Sequence, residues 1–465
     1  MKKLTVALLL AAMTASLAGC GGSSTGSTSS SEDAKESEAT EESAEETADD
    51  AAEDTAEESS DSQEPVTLRF MWWGGDERAQ ATLDVIEQFE EEYPWITIEA
   101  EYGSSDGYQE KLTTQLTSGT IADIFQMGTG WMPGYVESNS GYFADFNDFT
   151  DTIDLTTFDE IILKNNGQFD GHQYGLPTGI SGHALIYNEK LAEEIGVDFS
   201  QAYTWDDIVE MGKKVKEYNS DMYLLTMGSS NLNTMIIRPY LQQLTGNTVL
   251  VNDTKTRGFE EEDLVQVLTY IKTLYDEGVV APIATVIAYG DDLGTDPNWI
   301  NQQYVASFAY SSTIETMEAA CPDGTFAAGQ LPVMTDAKDE GWYCNAPQYL
   351  CVSGVSEHQE EAMLFLNYFY NNEDAAATLQ TVRSTPATTV GQQVCTDLGI
   401  LEGIAKDSVD IIQTYNGTND LGLTTEEEVT AILQDAATQV AYGQGTPEEV
   451  AASTISLLDN YLASK

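Results

Sequence analysis

Residues 66–102 read VTLRFMWWGGDERAQATLDVIEQFEEEYPWITIEAEY, and two periodicities succeed one another within them. Val66–Trp72 alternates as a half-buried strand does, and Gly74-Gly75 supplies the turn after it. Asp76–Glu92 then carries Leu83, Ile86 and Phe89 at helical spacing and stops at Tyr93-Pro94, because proline cannot continue a helix. Trp95–Tyr102 predicts a second strand, followed by a helix near Tyr108–Ser118 and a third strand over Ile121–Gln126. Strand and helix in alternation predict a parallel α/β sheet.

The alternation continues with a strand at Ala184–Tyr187 and a helix over Asn188–Ile195 that ends at Gly196. Thr204-Trp205-Asp206-Asp207 has the form of a capping box, and the helix it opens turns Ile208, Met211, Val215 and Tyr218 inward. Asp263–Glu277 predicts another amphipathic helix, stopped at Gly278, while Tyr304–Tyr310 and Gln348–Ser353 read as strands. From Glu357 onward the pattern is almost all helical, with Thr446-Pro447-Glu448-Glu449 as a cap. No internal repeat is present.

Of 465 residues 41% are hydrophobic, enough for two or three domains with sizeable cores. Asp and Glu number 78 against 19 Lys and Arg, a formal net charge of −59. Neutralising phosphate needs clustered cations, so no nucleic-acid partner is expected, and a basic membrane-docking face is disfavoured. A neutral ligand meets no such penalty. Lys2 and Lys3 precede the apolar run Leu4–Leu10, and small residues lead into Leu17-Ala18-Gly19-Cys20. A membrane span needs about 20 apolar residues, so residues 1–20 read instead as a secretory signal. Its end resembles the bacterial lipobox, which implies lipidation at Cys20 and a lipid-anchored protein on the extracytoplasmic face of the cell membrane. Residues 21–64 predict a disordered acidic linker: Glu32–Glu64 holds 16 acids, Lys35 as its one base, and no aliphatic side chain larger than Ala. A chain of that length reaches roughly 35–40 Å on average. Cys321, Cys344, Cys351 and Cys395 have no zinc-like spacing and predict buried thiols or one structural bridge.

Several stretches resemble one family. RFMWWGG at 69–75 with FEEEYPWITIEAEY at 89–102, SGTIADIFQMGTGWMPGYVESNSGYFADF at 118–146, YGLPTGISGHALIYNEKLAEEIGVD at 174–198 with YTWDDIVEMGKKVKE at 203–217, and EEAMLFLNYFYNNEDAAATLQ at 360–380 are similar, in order, to the extracellular solute-binding proteins of carbohydrate ABC transporters, the cluster that includes maltose-binding protein. The resemblance covers about residues 65–465. It implies a two-lobed α/β fold of the type II periplasmic-binding-protein kind with three interlobe crossings and a ligand cleft. By position the N-lobe is 65–178 with 347–371, and the C-lobe is 179–346 with 372–465. The implied partners are a carbohydrate, an oligosaccharide by preference, and the permease subunits that receive it.

A sugar offers C–H faces to flat apolar rings and hydroxyls to fixed polar groups, and open α/β sheets place ligands at strand ends. Trp72 and Trp73 end the first strand; adjacent strand residues face opposite ways, so one can enter the cleft while the other packs inside. The resemblance implies ligand contacts from Asp76, with Glu77 beside it, although Asp76 also suits a helix cap. Asp123 recurs in the family, as a structural hydrogen bonder ahead of a ligand contact. Trp131 follows the third strand at a ligand-contacting position, while Met127 replaces a family Trp. By the resemblance, Ser181 and Asn233 fall where relatives can carry acids, so charge is traded there for hydroxyl and amide, while Arg238 falls at a position often aromatic. Tyr310 and Ser311 end a strand where the resemblance implies a stacking aromatic. Trp299, Trp342 and Arg383 complete the candidates. No HExxH, GxSxG or P-loop is present, and Gly290–Asn298 lacks the closing Glu of an EF-hand, so neither a cofactor nor a metal is expected. An exported glycoside hydrolase, or a sugar sensor presenting ligand to a membrane kinase, stand as rivals; 78 acids could hide a catalytic pair.

Overall fold

In the computed structural model, residues 64–289 and 293–465 are described; the expected signal sequence with Cys20, the expected acidic linker up to residue 63 and residues 290–292 lie outside them. The opening elements are β1 (Val66–Trp73), α1 (Asp76–Glu92), β2 (Ile96–Gly103), α2 (Tyr108–Ser118), β3 (Ile124–Met127) and α3 (Met132–Asn139). Both opening helices have the bounds that periodicity predicts. β1 pairs in parallel with β2, Val66 opposite Ile96 through Trp73 opposite Gly103, and with β3 on its other side. The sheet is then closed by two antiparallel strands, with Tyr349 opposite both Met127 and Pro177. Its order is β2, β1, β3, Tyr349–Val352, Leu176–Pro177. Alternation along β1 sends Leu68, Phe70 and Trp72 into one buried cluster and Met71 into another, with Trp73 packed against the latter.

A second sheet runs Phe326–Gly329, Ser181–Asn188, Tyr304–Tyr310, Tyr223–Thr226. Only the last pair is parallel; Tyr304–Tyr310 and Phe326–Gly329 both run antiparallel to Ser181–Asn188. This sheet is therefore mixed, because a strand can return beside its neighbour through an intervening helix or through a longer excursion, and local pattern does not say which.

The chain passes from the first sheet to the second through Thr178–Ile180, returns through Ala346–Gln348, and crosses again after Asp397 to the Gly403–Ile412 helix, which packs on the second sheet. The expected lobe boundary at 371/372 shifts. The Glu373–Leu379 helix needs cover for Ala375, Ala376 and Leu379 and finds it on α1, where Gln88 Nε2 donates to Thr378 Oγ1 at 2.9 Å. The predicted capping box at Thr204 is formed, and the predicted cap at Thr446 is formed as a capping box too. Among the described residues no helix is long and apolar enough to cross a membrane, and Cys321, Cys344, Cys351 and Cys395 are buried and unpaired.

Candidate functional site

The parallel strands of the first lobe aim their carboxyl ends the same way, and there the chain places its half-buried rings. Trp73 closes β1 with its ring 4.6 Å from Tyr108 and 5.4 Å from Trp131. Trp131 can fold back onto this pair because residue 128 is glycine: a Cβ there would lie 2.6 Å from the indole. Trp72, pointing the other way, is wholly buried between Phe70 and Tyr102 and has no face for a ligand. Of the adjacent tryptophans, Trp73 is the accessible one. Gly75, not Asp76, is the N-cap of α1, and no side chain caps the helix. The Asp76 and Glu77 carboxylates thus stand exposed in its first turn, favoured by the helix dipole and free of the capping duty Asp76 was suited to.

Under the rings lies a hydrogen-bonded strut. Gln126 is completely buried; its Nε2 donates to the Trp73 carbonyl at 3.2 Å and its Oε1 accepts from Arg383 Nη1 at 2.8 Å. Arg383 Nη2 donates to Thr82 Oγ1 at 2.9 Å. Only 3% exposed, Arg383 has its guanidinium pushed down to about 9, first by burial and then by the neighbouring Arg78 charge. Its hydrogen bonds tie it, through Gln126, to the backbone beneath the Trp73 ring. Asp123 is likewise structural: Oδ2 accepts from the Arg69 amide at 2.9 Å and Oδ1 from Ser356 Oγ at 2.6 Å.

In the second lobe, Ser181 opens its strand directly after the first crossing. Its Oγ lies 3.3 Å from Ser312 Oγ and 3.4 Å from Ser311 Oγ, and Ser311 Oγ also accepts from the Gly182 amide at 3.1 Å. Tyr310 pairs with His183 across the sheet, and the half-buried ring sits 5.6 Å from the imidazole. His183 is enclosed by Tyr310, Trp342 and Tyr343; burial, then the Arg238 charge, pushes it down to about 3, so it stays neutral. Arg238 is committed to Asp420, which is 0% exposed (Nε to Oδ2, 3.1 Å), and to the Tyr343 hydroxyl (Nη2, 3.2 Å). Burial alone would lower its pKa; Tyr343 and Asp420 outweigh that and hold it above the ordinary arginine value. Asn233 lies on a π-helical turn, Leu232–Ile237, only 1% exposed, with both amide atoms lacking a hydrogen-bond partner. Wide turns of this kind are rare and concentrate at functional sites.

Trp299 and Trp342 are core residues, 1% and 0% exposed. Their indole N–H groups are spent on the carbonyls of Met317 and Pro332, both at 2.8 Å. A large amphipathic ring is most cheaply satisfied inside when one carbonyl meets its N–H. The structure thus gathers Trp73, Asp76, Glu77 and Trp131 at one set of strand ends, and Ser181, Tyr310 and Ser311 beside the crossing in the other lobe. Gln126 and His183 were missed from sequence. Gln126 left a signal, a lone polar residue in the four-residue strand Ile124–Met127. Among the described residues no group of three or more His, Cys, Asp or Glu could hold a metal ion.

A profile described as bacterial extracellular solute-binding protein matches residues 84–397. A putative binding protein of Brucella abortus is 28% identical over 213 residues, 45% of this chain and 49% of that protein, so the chain spans about half the length of the first curated relatives it matches. The arabinooligosaccharide-binding protein of Halalkalibacterium halodurans is 25% identical over 335 residues, 69% of this chain and 71% of that protein. The structure of a periplasmic oligogalacturonide-binding protein from Yersinia enterocolitica superposes with a TM-score of 0.76 at 22% identity, covering 86% of this chain and 99% of that one. That likeness shows the two-lobed fold.

Proposed function

Since the chain belongs to the bacterial extracellular solute-binding proteins, we propose that it captures an oligosaccharide between its lobes by hinge closure and hands it unchanged to an ABC permease. The Trp73–Trp131 ring pair at the strand ends carries this reading. Two half-buried indoles beside the exposed Asp76 and Glu77 carboxylates offer what a sugar needs, flat apolar faces and hydroxyl acceptors. Ser181, Tyr310 and Ser311 complete the closed form from the other lobe, and the Thr178–Ile180 and Ala346–Gln348 crossings bend between them. Ligand bound first to one lobe gains contacts from the other, which draws the open–closed equilibrium toward closed. No bond is made or broken in this scheme. Relatives described as binding arabinooligosaccharide, diacetylchitobiose and lactose support the carbohydrate class.

We place the protein on the extracytoplasmic face of the membrane, held by lipid on Cys20. Replacing Cys20 by Ser should move it from the membrane fraction to the medium. The binding test is a thermal-shift screen with arabino- and chito-oligosaccharides, lactose and oligogalacturonides; ligand at 100 times its Kd adds about 2.7 kcal/mol. Trp73→Ala or Trp131→Ala should weaken the ligand so found by about 1–3 kcal/mol. Release of reducing ends during incubation would overturn the binding-only reading.

A further inference from the structure

The chain holds 78 acids against 19 Lys and Arg, yet its most deeply placed strut is a cation with no acid beside it. The two acceptors of Arg383, Gln126 Oε1 and Thr82 Oγ1, are both neutral. Of the charges acting on its guanidinium the foremost is that of Arg78, which has the same sign. Arg78 in turn donates to a carbonyl, that of Val382, at 3.2 Å. The Phe369 ring, 5.6 Å from the Arg383 guanidinium carbon, lends a partial negative face and no counter-charge. A charge taken out of water is costly unless one of opposite sign meets it.

Arg383 lines a cavity of about 30 Å³ between the end of the Gln359–Asn371 helix, the Glu373–Leu379 helix and Thr178 of the first crossing. Apolar side chains such as Phe369, Leu379 and Pro386 make most of its wall, and no acidic side chain lines it. The Tyr370 hydroxyl is engaged by the Leu176 carbonyl at 3.3 Å, and Thr388 Oγ1 by the Tyr370 carbonyl at 2.9 Å. Two buried donors on the lining residues have no hydrogen-bond partner within the described protein: Arg383 Nε–H and the Thr178 hydroxyl. We propose that this cavity binds one chloride ion, held between Arg383 Nε and the Thr178 hydroxyl. Its volume is about twice the 10–15 Å³ that one water needs, which suits a monatomic ion and excludes sulfate or phosphate with their four oxygens. The ion sits behind the hinge, apart from the strand-end rings. Thr178 donates its amide to the Gln348 carbonyl of the second crossing at 2.9 Å, and the Ile180 amide reaches the Thr385 carbonyl at 2.7 Å. Chloride therefore neutralises the strut beneath Trp73 and braces it against both crossings.

The test is thermal unfolding of the full protein at constant ionic strength, with sodium gluconate replaced stepwise by sodium chloride or bromide. Tm should rise and saturate, by about 2 °C at ten times the Kd of the ion. Thr178→Val keeps the side-chain shape without the donor and should need at least about tenfold more halide for half the rise; Thr178→Ser, which keeps the donor, should respond as the wild type does. Crystals grown in bromide should show an anomalous peak between Arg383 Nε and Thr178 Oγ1. A Tm indifferent to halide refutes the proposal, and a bromide peak without that response marks an adventitious ion only. Water in the cavity at saturating bromide, or an unaltered midpoint in folded Thr178→Val, refutes it as well. None of these outcomes depends on the sugar.

Discussion

Gly128→Ala adds one methyl group directly beneath the Trp131 indole, and the structure says how far the ring must move. The new Cβ would lie 2.6 Å from Trp131 Cδ2, 2.7 Å from Cε3 and 2.9 Å from Cε2, against roughly 3.5–4.0 Å for carbon atoms in contact. The ring must lift by about 1 Å or swing to another rotamer, which disturbs its packing 5.4 Å from Trp73. The backbone has no reason to object: Gly128 is not among the positive-φ glycines, and its carbonyl still accepts from the Trp131 amide at 3.0 Å. Since Trp131 is only half-buried, the cost to folding should be at most about 1 kcal/mol, within the range of overpacking at a site that can give way. Binding should suffer more, because a displaced ring forfeits one stacking face, about 1–3 kcal/mol or roughly five- to 150-fold in Kd. Calorimetric titration with the ligand found by screening, beside a denaturation curve, separates the two effects. Wild-type affinity in a folded Gly128→Ala protein would mean that Trp131 is not part of the platform.

Asp123→Ala should show the reverse pattern, losing about 2–3 kcal/mol in urea titrations because the Arg69 amide and Ser356 hydroxyl lose a charged acceptor, with ligand affinity preserved. His183 is held neutral with its pKa lowered to about 3, so below its ordinary value of 6.5 the unfolded chain binds a proton that the folded one refuses. Wild-type stability therefore falls as pH drops through that window, and His183→Phe, neutral throughout, should gain on it by roughly 1.4 kcal/mol per pH unit; parallel stability profiles for the two would refute the assignment. The thiols of Cys321, Cys344, Cys351 and Cys395 should resist a thiol reagent in the native protein, and all four should react after unreduced denaturation. Fewer reactive thiols would reveal a disulfide.

Much of the fold was legible because its signals are local. A helix hydrogen-bonds to itself four residues away, so apolar spacing and end residues locate it: Asp76–Glu92 and Tyr108–Ser118 came out residue for residue, and the reciprocal bonds at Thr204 and Thr446 follow from side chains three positions apart. The site was half legible. Period two along β1 established that Trp72 and Trp73 part company, yet the same alternation is compatible with either one facing out. Burial chose Trp73, since α1 covers the face on which Trp72 lies. Trp299 and Trp342 carry the same side chain as Trp131, and only the tertiary structure showed them buried, with their indole N–H groups on the carbonyls of Met317 and Pro332.

Taken by itself, the sequence determined an alternation of strands and helices and flat rings placed near strand ends, both matters of composition and near-neighbour spacing. The tertiary structure decided what depends on distant partners. Arg383 meets Gln126 from 257 positions away and Arg238 meets Asp420 from 182, which ties these two candidate residues into a strut and a buried ion pair. A charged side chain taken from water must find its complement wherever the packed chain presents one, and no local pattern announces where that will be.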